Sequence, residues 1–305
     1  MAGNFDNFLL RGVLKSRAIR FMFVGTTALA EKGIKAHDAD PAAGEIFADA
    51  LTAAALFSPL LDEGELYSMR WTYPGPAGMI FADVDAKCHV RGIPSEPHLL
   101  CQVSPPLSED LIFGHEPGKI AVTKSCQGKI LNSGETTAPL AMPSRDAGFF
   151  LSTSDQVESE LRTFFRFTAD PEHPVHSAFG IMIQALPGCN LEQFDPCRRL
   201  LHGDEVTELF SFARGADSPE RLLQRVLETI LLSAVSEDDF APTRGPEPVF
   251  SCRCSREKMR EALTVLGREE LKRLLEEQQT AKIACRFCKA EYQFSHDDFK
   301  DFLES

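Results

Sequence analysis

Four cysteines constrain this chain more than any other feature: Cys252-x-Cys254, thirty intervening residues, then Cys285-x-x-Cys288. Zinc takes four soft ligands in a tetrahedron, with sulfur about 2.3 Å from the metal, and two close pairs from two arms of a fold supply that geometry. The C-x-x-C half is the stronger signal. C-x-C is less common, because a single intervening residue makes a tight chelate. The expected cofactor is Zn2+, one per chain, held by Cys252, Cys254, Cys285 and Cys288, with His296 a spare that a full site does not need. The other five of nine cysteines (Cys88, Cys101, Cys126, Cys189 and Cys197) are scattered singly, which is not a secreted disulfide framework. In a reducing compartment such a cluster points to metal binding or redox chemistry.

The residues around the cluster read as a small unit. Ser255 can cap a helix bearing Met259, Ala262, Leu263 and Leu266 on one side, with Gly267 as its stop. A second helix carries Leu271, Leu274 and Leu275, and Lys282–Phe294 reads as a hairpin with CRFCK at its turn. Ser295 caps a last short helix with Phe299, Phe302 and Leu303. A unit of about 55 residues is small enough to need a staple such as a metal.

Upstream, 305 residues with 43% hydrophobic content allow a sizeable core and more than one unit. Residues 1–200 mix both periodicities. Strands are expected at Ala18–Val24, Leu66–Tyr73, Gly78–Val84, Lys87–Gly92, Lys119–Ser125 and Ala178–Leu186, and helices at Thr26–Lys35, Pro41–Phe57 and Gln156–Phe167. This is an α+β pattern without regular βαβ alternation. In residues 219–235, Leu222, Leu223, Val226, Leu227, Ile230 and Leu231 fall on one helical face. The acidic, proline-bearing SEDDFAPTRGPEP follows, placing a boundary near residue 250.

Several function classes are disfavoured. The net charge of −13 argues against general nucleic-acid binding. Its whole excess lies before Ser251, where 21 basic residues face 34 acidic ones, while the tail has 11 of each. The apolar stretches fall short of the ~20 residues of a membrane span, and MAGNFDNFLLRGVLKSR lacks a secretory leader's apolar centre, so a cytoplasmic protein is expected. No H-E-x-x-H or G-x-S-x-G occurs. GHEPGKI has only three residues between its glycines and Ile after the lysine, so it is not a phosphate loop. Four thiolates leave zinc no open position for water, and no enzyme is expected.

Two readings of the cluster remain: an inert ribbon that holds the tail together, and a redox switch. Arg253, Arg256, Lys258, Lys282, Arg286 and Lys289 crowd the thiols and favour the oxidisable thiolate. A zinc-ribbon adaptor or nucleic-acid-binding protein is the alternative function.

PVFSCRCSREKMREALTVLGREELKRLLEE followed by IACRFCKAEYQFSHDDF resembles the C-terminal zinc module of the heat shock protein 33 family of redox-regulated chaperones. Fainter similarity runs through EIFADALTAAALFSPLL, Arg91-Gly92, Gln127-Gly128 and LLQRVL. The resemblance implies an α+β substrate-binding core (1–200), a helical, acidic linker that senses unfolding (201–250) and a zinc-binding redox switch (251–305). It also implies an ATP-independent holdase, inactive when reduced and zinc-bound. Oxidation would form Cys252–Cys254 and Cys285–Cys288 disulfides, release zinc, unfold tail and linker, and expose a surface for unfolding client proteins, often in a homodimer. The chain departs from the family at Cys126, where an aromatic residue is common, and in extra residues around Pro94–Pro106 and Pro139–Ser144.

Overall fold

The structure, a computed structural model, describes residues 5–103 and 106–304. Of the extra residues around Pro94–Pro106, positions 104 and 105 lie outside that description. The chain forms two compact units, Met1–Phe250 and Ser251–Ser305. Residues 201–250, expected as a linker, belong to the first.

The first unit is built on two sheets. Strands β1 (Asn7–Leu14), β2 (Ile19–Thr26), β8 (Ser159–Phe167), β9 (Val175–Ala185) and β10 (Thr243–Arg244) form one, in the order β10-β1-β2-β9-β8. The other contains β3 (Glu65–Thr72), β4 (Met79–Asp85), β5 (His89–Pro94), β6 (Gly118–Cys126), β7 (Lys129–Ala138) and β11 (Val249–Phe250), in the order β11-β5-β4-β3-β6-β7. Helices α1 (Thr27–His37), α2 (Pro41–Phe57), α3 (Glu109–Phe113), α4 (Pro143–Thr153), α5 (Leu191–Leu201), α6 (Asp204–Ser211) and α7 (Pro219–Leu231) complete it.

Helix α2 is the hub. Asp40 caps it by accepting from Ala43 N at 2.9 Å, and Pro41 occupies its first turn. Its small residues let it pack against strands of both sheets. Gly180 of β9 completes that fit, since a Cβ there would stand 2.6 Å from Thr52 Cγ2. The Pro41–Leu60 stretch is long and apolar enough to span a membrane, more than the sequence reading allowed, but 78% of its apolar window is buried inside this unit.

Strand alternation explains how the first sheet is covered twice. Phe21, Phe23, Phe179, Ile181 and Ile183 point to one face and pack with α5, α6 and α7. Val24 and Gly180 point to the other, beneath Thr52 and Leu56 of α2. A strand buried on both faces shows a continuous apolar run, which is why β9 was legible.

One element was misread. Gln156–Phe167, expected as a helix, contains β8, paired antiparallel with β9 from Ser159↔Gln184 to Phe167↔Val175. Leu161, Phe164 and Phe165 mimic a helical stripe by spacing, but the run is rich in aromatic residues that favour a pleated surface, and β9 supplies the partner.

Residues quoted for the family resemblance have structural reasons. Arg91 Nε donates to both carboxylate oxygens of buried Asp83, at 3.1 and 3.0 Å. Gly92 admits no side chain, because a Cβ would stand 2.7 Å from Phe81 O. Gln127 (φ 49°) and Gly128 (φ 80°) form the tight β6–β7 turn. The extra Pro139–Ser144 segment is pinned by Trp71 Nε1 donating to Pro143 O (3.1 Å) and by Ser144 N donating to Asp49 (2.7 Å).

Asp49 is 3% exposed, and burial raises its pKa from 3.8 to about 6 against the hydrogen bonds from Thr163 and Ser144. The folded chain therefore binds this proton more readily than the unfolded chain, and stability falls as pH rises from 3.8 through about 6. Asn at this position can keep both contacts without charge. Asp49→Asn is expected to remove roughly 3 kcal/mol of that pH dependence, read from urea unfolding midpoints across the window.

Candidate metal centre

The second unit gathers the four cysteines. It contains α8 (Arg256–Thr264), α9 (Arg268–Gln278), β12 (Ala281–Ala284), β13 (Glu291–Phe294) and, after a 3-10 turn at His296–Phe299, α10 (Lys300–Glu304). Ser255 caps α8 by accepting from Lys258 N at 3.3 Å. Ser295 and Asp298 form a capping box at the 3-10 turn. Two details differ from the sequence reading. Helix α8 ends at Thr264, so Leu266 lies beyond it and is 50% exposed, and Ala262 is exposed as well. Gly267, expected as the stop, is instead the residue preceding α9, with φ 83°.

The apolar centre of this unit is Leu263, Leu271, Leu275, Ala281, Phe294 and Phe299, a cluster of six buried residues. That is little to offset the ordering of about 50 residues.

Cys252 and Cys254 lie just before α8, and Cys285 and Cys288 in the turn between β12 and β13. Their four sulfurs lie within 4.8 Å of one another. Cys252 Sγ is 3.5 Å from Cys285 Sγ, and Cys254 Sγ is 3.5 Å from Cys288 Sγ. A tetrahedral site with ~2.3 Å metal–sulfur bonds has sulfur–sulfur edges of about 3.8 Å. A disulfide needs about 2.05 Å, and all nine cysteines are free. The donor set and its spacing thus fit one soft-ligand metal ion. His296 is exposed and outside the cluster.

The thiols are not equivalent. Desolvation pushes the Cys285 thiol up, but hydrogen bonds from the Cys288 and Phe287 backbone and from its thiol neighbours outweigh it and bring it down to about 7. Desolvation raises Cys288 to about 12 and also raises Cys252. One thiol of the set is therefore readily ionised before any metal contributes. The sequence reading credited basic neighbours with this effect. Arg256, however, spends its charge on Asp298 at 2.9 Å and stacks 4.4 Å over Phe294. Backbone N–H groups of the C-x-x-C turn do more, and these are invisible in residue types.

Tyr292 was also missed. Its Oη lies 3.1 Å from Cys254 Sγ and can donate to that sulfur when it is ionised, the kind of outer contact that orients a ligand. Its signal was its place on β13, two residues before buried Phe294 on the same side of the hairpin.

The other five cysteines belong to the first unit. Cys88 is fully buried, and desolvation raises its thiol to about 12, which leaves it inert.

A two-armed thiol centre following a two-sheet α+β core describes a known family. The Hsp33 protein family profile matches residues 7–295. The chain belongs to the Hsp33 family. Membership supports a chaperone function, and the chain's Hsp33 relatives are named as chaperonins rather than enzymes. A 33 kDa chaperonin of Symbiobacterium thermophilum is 30% identical, covering 96% of this chain and 95% of its own. One from Desulforamulus reducens is 27% identical, covering 98% of both. The crystal structure of the Thermotoga maritima 33 kDa chaperonin (heat shock protein 33 homolog) superposes with a TM-score of 0.80 at 23% identity, covering 98% of each chain, and supports the fold.

Removing one sulfur leaves three ligands for a unit with six buried apolar side chains. Cys285→Ser is expected to abolish stoichiometric metal binding and to open residues 256–304 to trypsin while the first unit stays resistant. Metal analysis with limited proteolysis checks both.

Proposed function

We propose that the chain is an oxidation-activated, ATP-independent holdase whose latch is a zinc ion on Cys252, Cys254, Cys285 and Cys288. The observation that carries this reading is the gathering of four thiols at metal spacing in a unit with too small a core to hold itself. Bound there, zinc would join the two arms and supply folding free energy. The division into a core (1–200), linker (201–250) and switch (251–305) is part of the same reading, as are cytoplasmic location and dimerisation on activation.

The chemistry balances. Two thiols lose two protons and two electrons to one molecule of hydrogen peroxide, leaving a disulfide and two waters. Family resemblance pairs Cys252 with Cys254 and Cys285 with Cys288. A disulfide sulfur carries no charge and is a poor ligand, so the arms separate and the tail loses its support.

The packing of α7 supports a surface for the linker to uncover. Leu222, Leu223, Val226, Leu227 and Ile230 are buried in one cluster with Phe21, Phe23, Phe179 and Phe210. Lifting that helix would bare a contiguous aromatic and aliphatic surface, of the kind that marks an interaction site. Non-native proteins expose matching apolar segments. The first unit's acidity would keep such a complex in solution.

The direct check is aggregation of a thermally unfolding client with the protein reduced or peroxide-treated, alongside zinc release. Suppression is expected only after oxidation, with about one zinc released per chain. Equal suppression in both states would refute the switch. Loosening α7 is expected to mimic oxidation: Leu227→Ala, at a cost of about 2–5 kcal/mol to local packing, should give partial suppression in the reduced state with zinc retained.

A further inference from the structure

The eight residues Thr243–Phe250 close the edges of both sheets of the first unit. At one end, β10 pairs antiparallel with β1, with Leu10 opposite Arg244 and Arg11 opposite Thr243. Gly245 N donates to Leu9 O at 2.9 Å, and Thr243 Oγ1 donates to Arg11 O at 3.2 Å. At the other end, β11 pairs in parallel with β5, with Val249 opposite His89 and Phe250 opposite Val90. Val249 N donates to Cys88 O at 3.0 Å. Phe250 is 2% exposed, and its ring lies 3.4 Å from where a Cβ on Gly33 of α1 would stand.

Each closing strand has only two residues, so each edge is held by few bonds. Pro246 and Pro248 keep the stretch between them extended and cannot donate to a ladder. Arg244 and Val249 are five residues apart, so the two edges lie within about 18 Å of each other along this segment. Cys252 follows two residues after Phe250. A released segment would leave two rows of unpaired backbone groups, and open edges are templates for another strand.

We propose that the β1 and β5 edges are the docking surface for extended segments of non-native polypeptides, and that Thr243–Phe250 is an internal stand-in for such a segment. The inference rests on the holdase reading and names how a client is held there: by strand addition, with an aromatic side chain in the place of Phe250. Backbone pairing makes this recognition tolerant of sequence, while the buried aromatic position adds affinity. An unfolded chain offers both features.

In an antiparallel strand the N–H and C=O of one residue face the same neighbour. Arg11 O faces β10, so Arg11 N–H does too, and β1–β2 pairing does not use it. Proline is accommodated on an edge strand, where its cost is the donor that Arg11 N–H offers to β10 and, on release, to a client strand. Arg11→Pro in the full chain should therefore leave the thiol chemistry intact and obstruct strand addition. After peroxide treatment it is expected to release zinc like the wild type but to need about fivefold more protein for half-suppression of client aggregation. A synthetic peptide of residues 242–250, PTRGPEPVF, should compete with the client on the oxidised wild-type protein, and the same peptide with Phe250→Ala should compete less well. Wild-type potency of oxidised Arg11→Pro together with no competition by the peptide would overturn the edge proposal and leave the redox switch standing. An oxidised wild-type protein that suppresses nothing would overturn the holdase reading, and this inference with it.

Discussion

Four thiols lie within 4.8 Å of one another in a unit with six buried apolar side chains, and an ion bound to them would join its two arms. A small domain buries too little apolar surface to offset its conformational entropy, so a cross-link between its arms decides whether it is folded. The backbone around the sulfurs is already arranged for that role. Cys285 N donates to Ala290 O and Lys289 N to Cys285 O, both at 2.9 Å, so the turn carrying Cys285 and Cys288 is tight before any ion enters. The same turn aims N–H groups at Cys285, which against desolvation lowers its thiol to about 7.

The first unit has the opposite character. Its first sheet is covered on both faces, by α2 on one and by α5, α6 and α7 on the other. Helix α2 is buried along nearly its whole length and packs against both sheets, so it cannot leave without unfolding the unit. Helix α7 covers one face from outside and has an exposed far side, with Ser233 held to Arg17 by a 3.0 Å hydrogen bond and Asp239 accepting from Ser16 N at 3.0 Å. A fold whose outer layer could leave a second, separately covered layer behind would expose apolar surface and keep its shape. A uniformly cooperative globule could not.

What the sequence revealed follows from where its signals are local. The cysteine spacing, the cap at Ser255, the α2 and α7 patterns and the buried strand β9 depend on neighbours in the chain, and all were legible. The misread β8 depends on β9 for its hydrogen bonds, and its Leu-x-x-Phe-Phe spacing suits either element. The contribution of Phe287 and Cys288 N–H groups to the thiol chemistry was hidden, because every residue has an N–H and only a turn aims it. Of the edge-closing strands, β10 falls inside the acidic, proline-bearing stretch expected as a linker, and β11 just after it had no strand signal of its own. Two-residue strands have no periodicity, and their partners lie more than 150 residues away.

The sulfur geometry also bears on why oxidation would open the latch rather than lock it. The closest sulfurs reach across the arms, Cys252 to Cys285 and Cys254 to Cys288, each at 3.5 Å. Disulfides at those contacts would staple the arms together and stabilise the unit, since each would close a loop of more than 30 residues. Pairing within each arm, as the family resemblance implies, closes loops of only three and four residues and leaves nothing between the arms. Only the second outcome turns oxidation into unfolding. The short C-x-C and C-x-x-C spacings favour it, because the partner in the same arm stays close even while the arms separate, and the effective concentration of the cross-arm partner falls as they part.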